Sequence, residues 1–351
     1  MDLKEIREKI NNVDYEIVKL LNERLELALR TRKLKTQVID KEREKQVIEN
    51  VERIPLHLVQ KDFSKKLFEM IIAECRGIQM EDRQLVGFQG EHGANGELAI
   101  TGYAANFVPV PCLKFSDVVA GLESDYYDYG MLPVENSIEG GVSEVNDLLI
   151  CHDIFICGEI KQPFNYALLT LPESDYRGLK VVYSHPEVLA HCSGFIARND
   201  LEARPYYNAA AAARMIAQER PRAAAAIASP LCAALHNLMI IKENIEDDST
   251  HFTRYLLVSK HLSNTEGNKC SIVFSTRSEF GELYGVLKVF TDAQINLCRL
   301  ESRPSPLEKG HFVFLVDFYG SVKDEKVQKT LKMVEEKALT YKLLGCYNEA
   351  M

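Results

Sequence analysis

Arg24 and Lys35 occupy places where a folded chain rarely puts a charge. On a helical wheel with Ile6 at zero and ~100° per residue, Ile10, Val13, Ile17 and Leu20 fall within ~40° of it. Arg24 falls there too, at ~0°, and Lys35 at ~20°. Two cations inside an apolar stripe each need an anion, because an unpartnered buried charge is very costly. That anion is either a structural partner or a ligand, unless the stripe drifts until the charges reach solvent. Arg7 lies ~100° off the stripe and ~25 Å along the axis from Arg24, so one chain cannot bring both to one small ligand. It is a surface charge, or it serves a site in a second chain. Farther on, Met131-Leu132-Pro133-Val134-Glu135-Asn136-Ser137-Ile138-Glu139-Gly140 packs carboxylate, amide and hydroxyl behind a strand-like run. A helix begins just beyond it, and helix N–H groups can hold an anion. Ser184-His185-Pro186 follows a second such run, and Thr253-Arg254-Tyr255 opens a third. Each alone reads as a capped turn. Three of them together, each at a strand boundary, are harder to dismiss as turns.

Several classes of function are excluded or disfavoured. A net charge of −9 argues against a nucleic-acid binder. No window approaches ~18 uninterrupted apolar residues, so no transmembrane helix is expected. MDLKEIREKI alternates charge with apolar residues and reads as a helix start, not a signal peptide. The nine cysteines show no CxxC pair and no His/Cys group at zinc spacing. No metal or other cofactor is expected, and reduced thiols in the cytoplasm are.

The elements that must position these residues fall into three segments. Residues 1–82 read as all-helical: Asp2 and Glu5 make a capping box, a first helix runs to about Lys35, a break near Asp40 precedes a helix through Val51, Pro55 ends that region, and a third helix spans about Phe63 to Gln79. Residues 84–260 alternate strands (QLVGFQG, YDYGMLPVEN, LKVVYSH, AAAIAS) with helices at 142–150, 187–198 and 208–219. Such alternation predicts parallel sheets with sites at strand ends. IFICGEIKQPFNYALLTL is long enough to cross between two lobes, and the Ala runs at 209–213 and 223–226 suit tight helix-on-strand packing. After a linker, HLSNTEGNK, residues 269–351 read β-α-β-β-α-β, a ferredoxin-like α+β pattern.

The helical segment resembles the all-helical chorismate mutases. The matching pieces are Ile6-Arg7-Glu8-Lys9-Ile10, Leu21-Asn22-Glu23-Arg24, Lys33-Leu34-Lys35, Asp40-Lys41-Glu42-Arg43-Glu44 and Ile71-Ile72-Ala73-Glu74-Cys75-Arg76-Gly77-Ile78-Gln79. The resemblance implies an intertwined dimer in which Arg7 crosses into the other protomer's site. It implies that Arg7, Arg24 and Arg43 hold the two carboxylates of chorismate, as planar guanidinium forks do well. Glu44 and the Asp40 region would receive the ring hydroxyl, and Lys35 and Gln79 the ether oxygen. Cys75 stands where the family usually has Ser. The reaction, chorismate to prephenate, is intramolecular and needs a folded dianion and stabilised oxygen charge, not a base or nucleophile.

Residues 85–260 resemble prephenate dehydratase, whose fold is two-lobed and like that of periplasmic binding proteins. The Glu135-Asn136-Ser137-x-Glu139-Gly140 signature, Ser184, and Ile227-Ala228-Ser229 before Thr253-Arg254 carry the resemblance. It implies that Thr253 assists loss of the ring hydroxyl as carbon dioxide departs. Arg254 would organise the site or hold a carboxylate. This chain departs from the family pattern at Gly96, where the glycine loop has no hydroxyl residue, and at His191 and His251, which replace amides. The departures leave open arogenate as substrate, or a ligand-sensing module that controls the mutase without a second reaction.

The last segment resembles the ACT regulatory domain through Gly281-Glu282-Leu283 and Glu301-Ser302-Arg303-Pro304. By resemblance, Gly281, Leu283, Glu301, Ser302 and Arg303 contribute to a phenylalanine site between paired domains, while Glu282 replaces the usual Ala. The whole implies a bifunctional enzyme of phenylalanine synthesis, with chorismate and prephenate as substrates, phenylalanine as feedback inhibitor, and a dimer or tetramer as the working form.

Overall fold

Thirty residues with apolar side chains at helical spacing form α1 (Leu3–Arg32). The computed structural model from which this is read describes residues 2–35, 37–54, 57–262, 266–305 and 310–350, without the side chains of Lys4, Glu5 and Glu8. Two compact units emerge: residues 1–85 with 106–108, and the remainder.

In the first unit, α2 (Lys41–Glu52) starts at Asp40, whose carboxylate accepts from the Arg43 N–H at 3.0 Å. The third helix, α3 (Lys61–Met80), packs against both others. Asp2 does accept the Ile6 N–H through its carbonyl, at 3.2 Å; the Glu5 half of the expected capping box, and Pro55, lie outside the described residues. One expectation is corrected. The helix stops at Arg32, where Lys33 and Leu34 donate to Arg30 and Thr31 in a tightened last turn. Lys35 is therefore not on the α1 stripe at all. The stripe itself is uncovered: Ile6, Ile10, Val13, Ile17 and Leu20 are 40%, 53%, 58%, 51% and 59% exposed.

The second unit opens with a lobe of β1 (Gln84–Gln89), α4 (Asn95–Tyr103), β2 (Phe107–Cys112), α5 (Phe115–Glu123), β3 (Tyr129–Asn136), β4 (Gly140–Gly141), α6 (Ser143–Cys151) and β5 (Phe155–Pro163). The other lobe follows with β6 (Ala167–Thr170), β7 (Val181–Ser184), α7 (Pro186–His191), α8 (Ser193–Arg198), β8 (Glu202–Pro205), α9 (Ala209–Glu219), β9 (Ala224–Ala228), α10 (Pro230–His236) and β10 (Met239–Glu243). The chain then returns to the first lobe as β11 (Phe252–Ser259). The sheets run β2-β1-β3-β11-β5, with β4 on β3, and β10-β6-β9-β7-β8. They are mixed rather than parallel: β1 is parallel to β3 and β7 to β8 and β9, but β11 opposes both its neighbours and β6 opposes β9. The double crossing, out through 164–166 and back into β11, reverses those strands. The single helix expected over 187–198 is two, broken at Cys192, because Asp247 caps the start of α8 by accepting from Gly194 N at 2.8 Å. The Ala runs become α9 and β9, packed on each other, with Asn208 capping the helix.

The C-terminal region is β12 (Lys269–Thr276), α11 (Glu282–Asp292), β13 (Leu297–Pro304), β14 (Phe312–Tyr319), α12 (Glu325–Lys337) and β15 (Thr340–Tyr347). Its antiparallel sheet has the order β13-β14-β12-β15, the ferredoxin-like arrangement. Cys270, Ile272, Phe274 and Phe318 on one face pack under the two helices. Val273, Leu315, Leu344 and Tyr347 on the other join Leu132, Leu256 and Val258 in the core of the first lobe. Burial on both faces explains why KCSIVFST reads as a continuous run and not as alternation.

Candidate active sites

In the helical unit, a cavity of about 260 Å³ is lined by Arg24, Lys35, Asp40, Arg43, Glu44, Cys75 and Gln79. Seven of the eight residues that the sequence nominated for this site thus come together; Arg7, exposed on α1, is not among its lining residues. Four cations, Arg24, Lys35, Arg43 and Arg76, against two carboxylates, Asp40 and Glu44, line a small volume, as a dianion would require. Arg24 donates to Cys75 Sγ at 2.7 Å and lies over the Phe68 ring at 5.8 Å, so its guanidinium is fixed before any ligand arrives. Lys35 makes no hydrogen bond or ion pair among the described residues. Gln79 lines the cavity while its amide nitrogen donates to the Ala28 carbonyl and, at 3.0 Å, to Thr31 Oγ1, tying α3 to α1. Arg76, which sequence reasoning passed over, also lines the cavity and pairs with Glu44 at 3.7 Å. The spacing Ile72, Cys75, Arg76, Gln79 on one helix face was the signal for it.

Between the two lobes, a cleft of about 470 Å³ gathers Asn136, Glu139, Gly140, His185, His191, Ser229 and Thr253. Strand alternation decides who enters. Thr253 and Tyr255 of β11 face the cleft, and Asn136 stands opposite Thr253 in the ladder. Asn136 Oδ1 accepts from Ile138 N at 2.8 Å and so shapes the signature loop. The uncapped N-terminus of α4 adds Ala94, Asn95 and Gly96, where backbone N–H groups favour an anion. Gly93 holds a left-handed φ of +94°, and a Cβ there would sit 2.5 Å from Cys232 Sγ, so the loop tolerates only glycine.

Four nominated residues do not line this cleft. Arg254, one step from Thr253, points to the opposite face. There it donates to Glu159 and Asp317, each at 2.7 Å, and lies 3.6 Å from Glu135, which alternation turns the same way. Ser184 is fully buried, and its hydroxyl donates to the Ile227 carbonyl at 2.6 Å. Ser137 Oγ accepts from Phe252 N at 3.0 Å and meets His251 Nδ1 at 3.3 Å, clamping the signature loop to the start of β11. Other cleft residues carried no sequence signal of their own. Tyr166 and Phe164 come from the crossing segment, and Glu187 from α7. Glu91 bridges the lobes, accepting from Arg214 Nε and Tyr207 Oη, each at 3.0 Å.

Burial, and secondarily the facing Glu187, push the Glu139 carboxyl above its ordinary range. Burial likewise pushes the Tyr166 phenol up and the His191 imidazole down. His191 stacks on Phe164 with ring centroids 4.9 Å apart. A depressed pKa fixes the sign of its pH effect. The neutral, stacked ring contributes full stability above the unfolded-state value of ~6.5, and that contribution is lost as pH falls through the native value. By scanning calorimetry, the unfolding temperature should fall more between neutral and mildly acidic pH in the wild type than in His191→Gln. Parallel pH profiles would take His191 out of the acid response.

The expected regulatory set is divided by the strand β13. Arg299, Glu301 and Arg303 turn towards the first lobe, while Ser302 is on the exposed face. Arg303 makes a two-pronged pair with Asp147 of α6 at 3.0 and 2.8 Å and donates to Ser143 Oγ at 2.8 Å. Glu301 lies against Gly141, where a Cβ would meet its Oε2 at 3.0 Å. Gly281, at φ +82°, starts α11, and Leu283 packs on the domain's own core. Among the described residues there is no group of side chains suited to a metal ion, and no helix is long and apolar enough to cross a membrane.

The family model described as chorismate mutase type II matches residues 6–80, and that described as prephenate dehydratase matches 86–263. The bifunctional chorismate mutase/prephenate dehydratase of Aquifex aeolicus (strain VF5) is 34% identical, over 100% of this chain and 99% of that protein. The arogenate dehydratase/prephenate dehydratase 2, chloroplastic, of Arabidopsis thaliana is 35% identical over 76% of this chain and 73% of its own length. Among solved structures, the prephenate dehydratase of Arthrobacter aurescens in complex with L-Phe superposes with a TM-score of 0.70 and 27% identity, over 76% of this chain and 90% of that one. With a cation-lined cavity in its helical unit and a two-lobed cleft in its second unit, this chain belongs to the bifunctional chorismate mutase/prephenate dehydratases.

Proposed function

We propose that the two reactions are performed by the residues gathered in the two cavities, and that phenylalanine governs the second. In the helical cavity, Arg24 and Arg43 hold the carboxylates of chorismate, Lys35 donates to the ether oxygen as the C–O bond breaks, and Glu44 with the Asp40 region receives the ring hydroxyl. A second copy of the chain supplies Arg7. The uncovered apolar stripe on α1 supports this, since contiguous exposed apolar surface marks an interaction face. In the cleft, Thr253 donates a hydrogen bond to the departing ring hydroxyl. The C–CO₂ bonding electrons pass into the ring as the ring C–O bond breaks, carbon dioxide leaves, the hydroxyl takes up one proton from solvent and leaves as water, and the gain of aromaticity drives the step. The α4 N-terminus favours the anionic substrate. Among the described residues no disulfide joins the nine cysteines, which suits a reducing compartment such as the cytoplasm.

The C-terminal region we read as an ACT domain that binds phenylalanine. The observation that carries this is Arg303. Its pair with Asp147 is partly exposed, at 22% and 41%, and is worth about 1 kcal/mol or less. An amino acid's carboxylate could take over that guanidinium at little cost. Doing so would release α6, which begins directly after cleft residues Gly140, Gly141 and Val142. Purified protein given prephenate at neutral pH should form phenylpyruvate above the spontaneous rate. Phenylalanine should suppress this about 5- to 150-fold, and Arg303→Ala should relieve the suppression. Turnover indifferent to phenylalanine would end the regulatory reading. A second substrate has one observation in its favour: Glu139 and Glu187 face each other in the cleft, and a carboxylate pair suits the ammonium of arogenate. The same assay run with arogenate separates the two.

A further inference from the structure

The most deeply buried charges of the dehydratase half lie outside its cleft, where the first lobe meets the C-terminal sheet. Arg254, Glu159, Lys269 and Asp317 are only 4%, 5%, 4% and 3% exposed. Arg254 Nε donates to Glu159 at 2.7 Å, its Nη1 to Asp317 at 2.7 Å, and its Nη2 to the Tyr347 hydroxyl at 3.0 Å. Lys269 donates to both Glu159 oxygens at 3.0 and 3.1 Å, and Ser271 donates to Asp317 at 2.6 Å. Burial alone would push the Asp317 carboxyl up, but Arg254 and Arg299 overcome this and hold it below its ordinary range. Two cations and two carboxylates thus balance, and every one is hydrogen-bonded.

Stability does not account for such a cluster. Apolar side chains of similar volume would hold the two surfaces together as well or better, and the apolar core around it already does so. What ionic pairs add is direction. Direction is needed at this point, because the pairing of β11 with β3 slips between Arg254 and Tyr255, directly beside Thr253. A strand irregularity re-aims its neighbouring side chains, and the ladder to β5, in register from Phe252 to Leu257, holds one edge of the strand but does not anchor the β3 side where the slip lies. The Arg254 side chain, gripped by Glu159 of β5 and Asp317 of β14, does.

We propose that Asp317, on the C-terminal domain, is a positioning residue for dehydration: through Arg254 it anchors β11 beside the slip and thereby sets the aim of the Thr253 hydroxyl into the cleft. The proposal rests on Thr253 being the hydroxyl's hydrogen-bond donor. It makes the C-terminal sheet part of the dehydratase apparatus even without an effector, and it gives any movement of that sheet a second route to the cleft besides α6.

The test uses the full chain with Arg254→Met/Asp317→Leu, which removes both partners and leaves Glu159 paired with Lys269. Thr253→Ala is measured beside it. The double variant should fold, melt no lower than the wild type and keep wild-type mutase turnover. Its dehydratase kcat should fall about 10- to 100-fold with KM unchanged, as expected for a misaimed group. A folded double variant with wild-type kcat overturns the proposal, because it shows the cluster to be cement only. If it does not fold, Asp317→Asn, of nearly equal size, carries the same test: a lower kcat at constant KM supports positioning, and an unchanged kcat overturns it. Wild-type turnover by Thr253→Ala would instead remove the reading underneath. An inactive Thr253→Ala beside a fully active double variant would remove the positioning role alone.

Discussion

Thr253→Ala should lower prephenate turnover by about 10²- to 10⁴-fold, the range for removing a positioned proton donor, while chorismate rearrangement continues at the wild-type rate. Three features make the effect large. Thr253 is 8% exposed, so water does not readily stand in for the lost hydroxyl. It faces the cleft from the central strand β11, with β3 and β5 pairing on either side, so its backbone is held after truncation. Its hydroxyl makes no hydrogen bond among the described residues, which leaves it free for substrate. The structural cost should be small, since a strand Thr→Ala change is worth about 1 kcal/mol or less. Phenylpyruvate formation at neutral pH, with the uncatalysed rate subtracted, is the measurement. Thr253→Ser, which restores the donor, should recover much of the loss. Undiminished turnover in Thr253→Ala would move the reaction to another cleft residue.

The second large effect concerns the helical cavity. Lys35→Ala should cost about 10²- to 10³-fold in mutase turnover, as removal of one preorganised donor to a developing oxyanion does, and leave dehydration intact. Lys35 is exposed, lies beyond the end of α1 and has no partner among the described residues, so its truncation should change stability by less than about 0.5 kcal/mol. Arg24→Ala should be as damaging to activity but is a less clean experiment, because Arg24 also bonds Cys75 and packs over Phe68. With Gln79 engaged on α1, more of the ether-oxygen contact falls to Lys35 than the sequence suggested. Arg7→Ala should be equally inactive, yet refolding it together with Lys35→Ala should restore part of the activity. A mixed dimer holds one site with both residues intact only if Arg7 crosses between chains. Turnover near wild type in Lys35→Ala would refute the site assignment, and absence of recovery on mixing would confine Arg7 to its own chain.

The same argument explains which residues the sequence could nominate. Arg24 was legible from short-range periodicity, because residues three, four and seven apart share a helix face whatever the rest of the chain does; Arg43, Glu44 and Cys75 were nominated only through the resemblance to the chorismate mutases. Lys35 lines the cavity, but not for the reason the spacing gave. The wheel placed it on α1, but the helix ends first and the turn delivers it. The Thr253–Asn136 pairing was legible as two motifs at strand boundaries, not as a contact, since 117 positions of sequence separate residues that the β11–β3 ladder sets opposite each other.

By itself the sequence determined the three segments, the helical and ferredoxin-like patterns, and the residue types for a dianion site and a cleft, because period, capping and turn chemistry are local properties. Only the tertiary structure decided direction. It turned Arg254 away from the cleft and into the C-terminal sheet, buried Ser184 under β9, set Arg303 on α6, brought Tyr166 and Glu187 to the cleft, and joined Glu91 to Arg214. Those outcomes follow from which strands pair and in what register, and a shift of one residue turns every side chain of a strand to its other face.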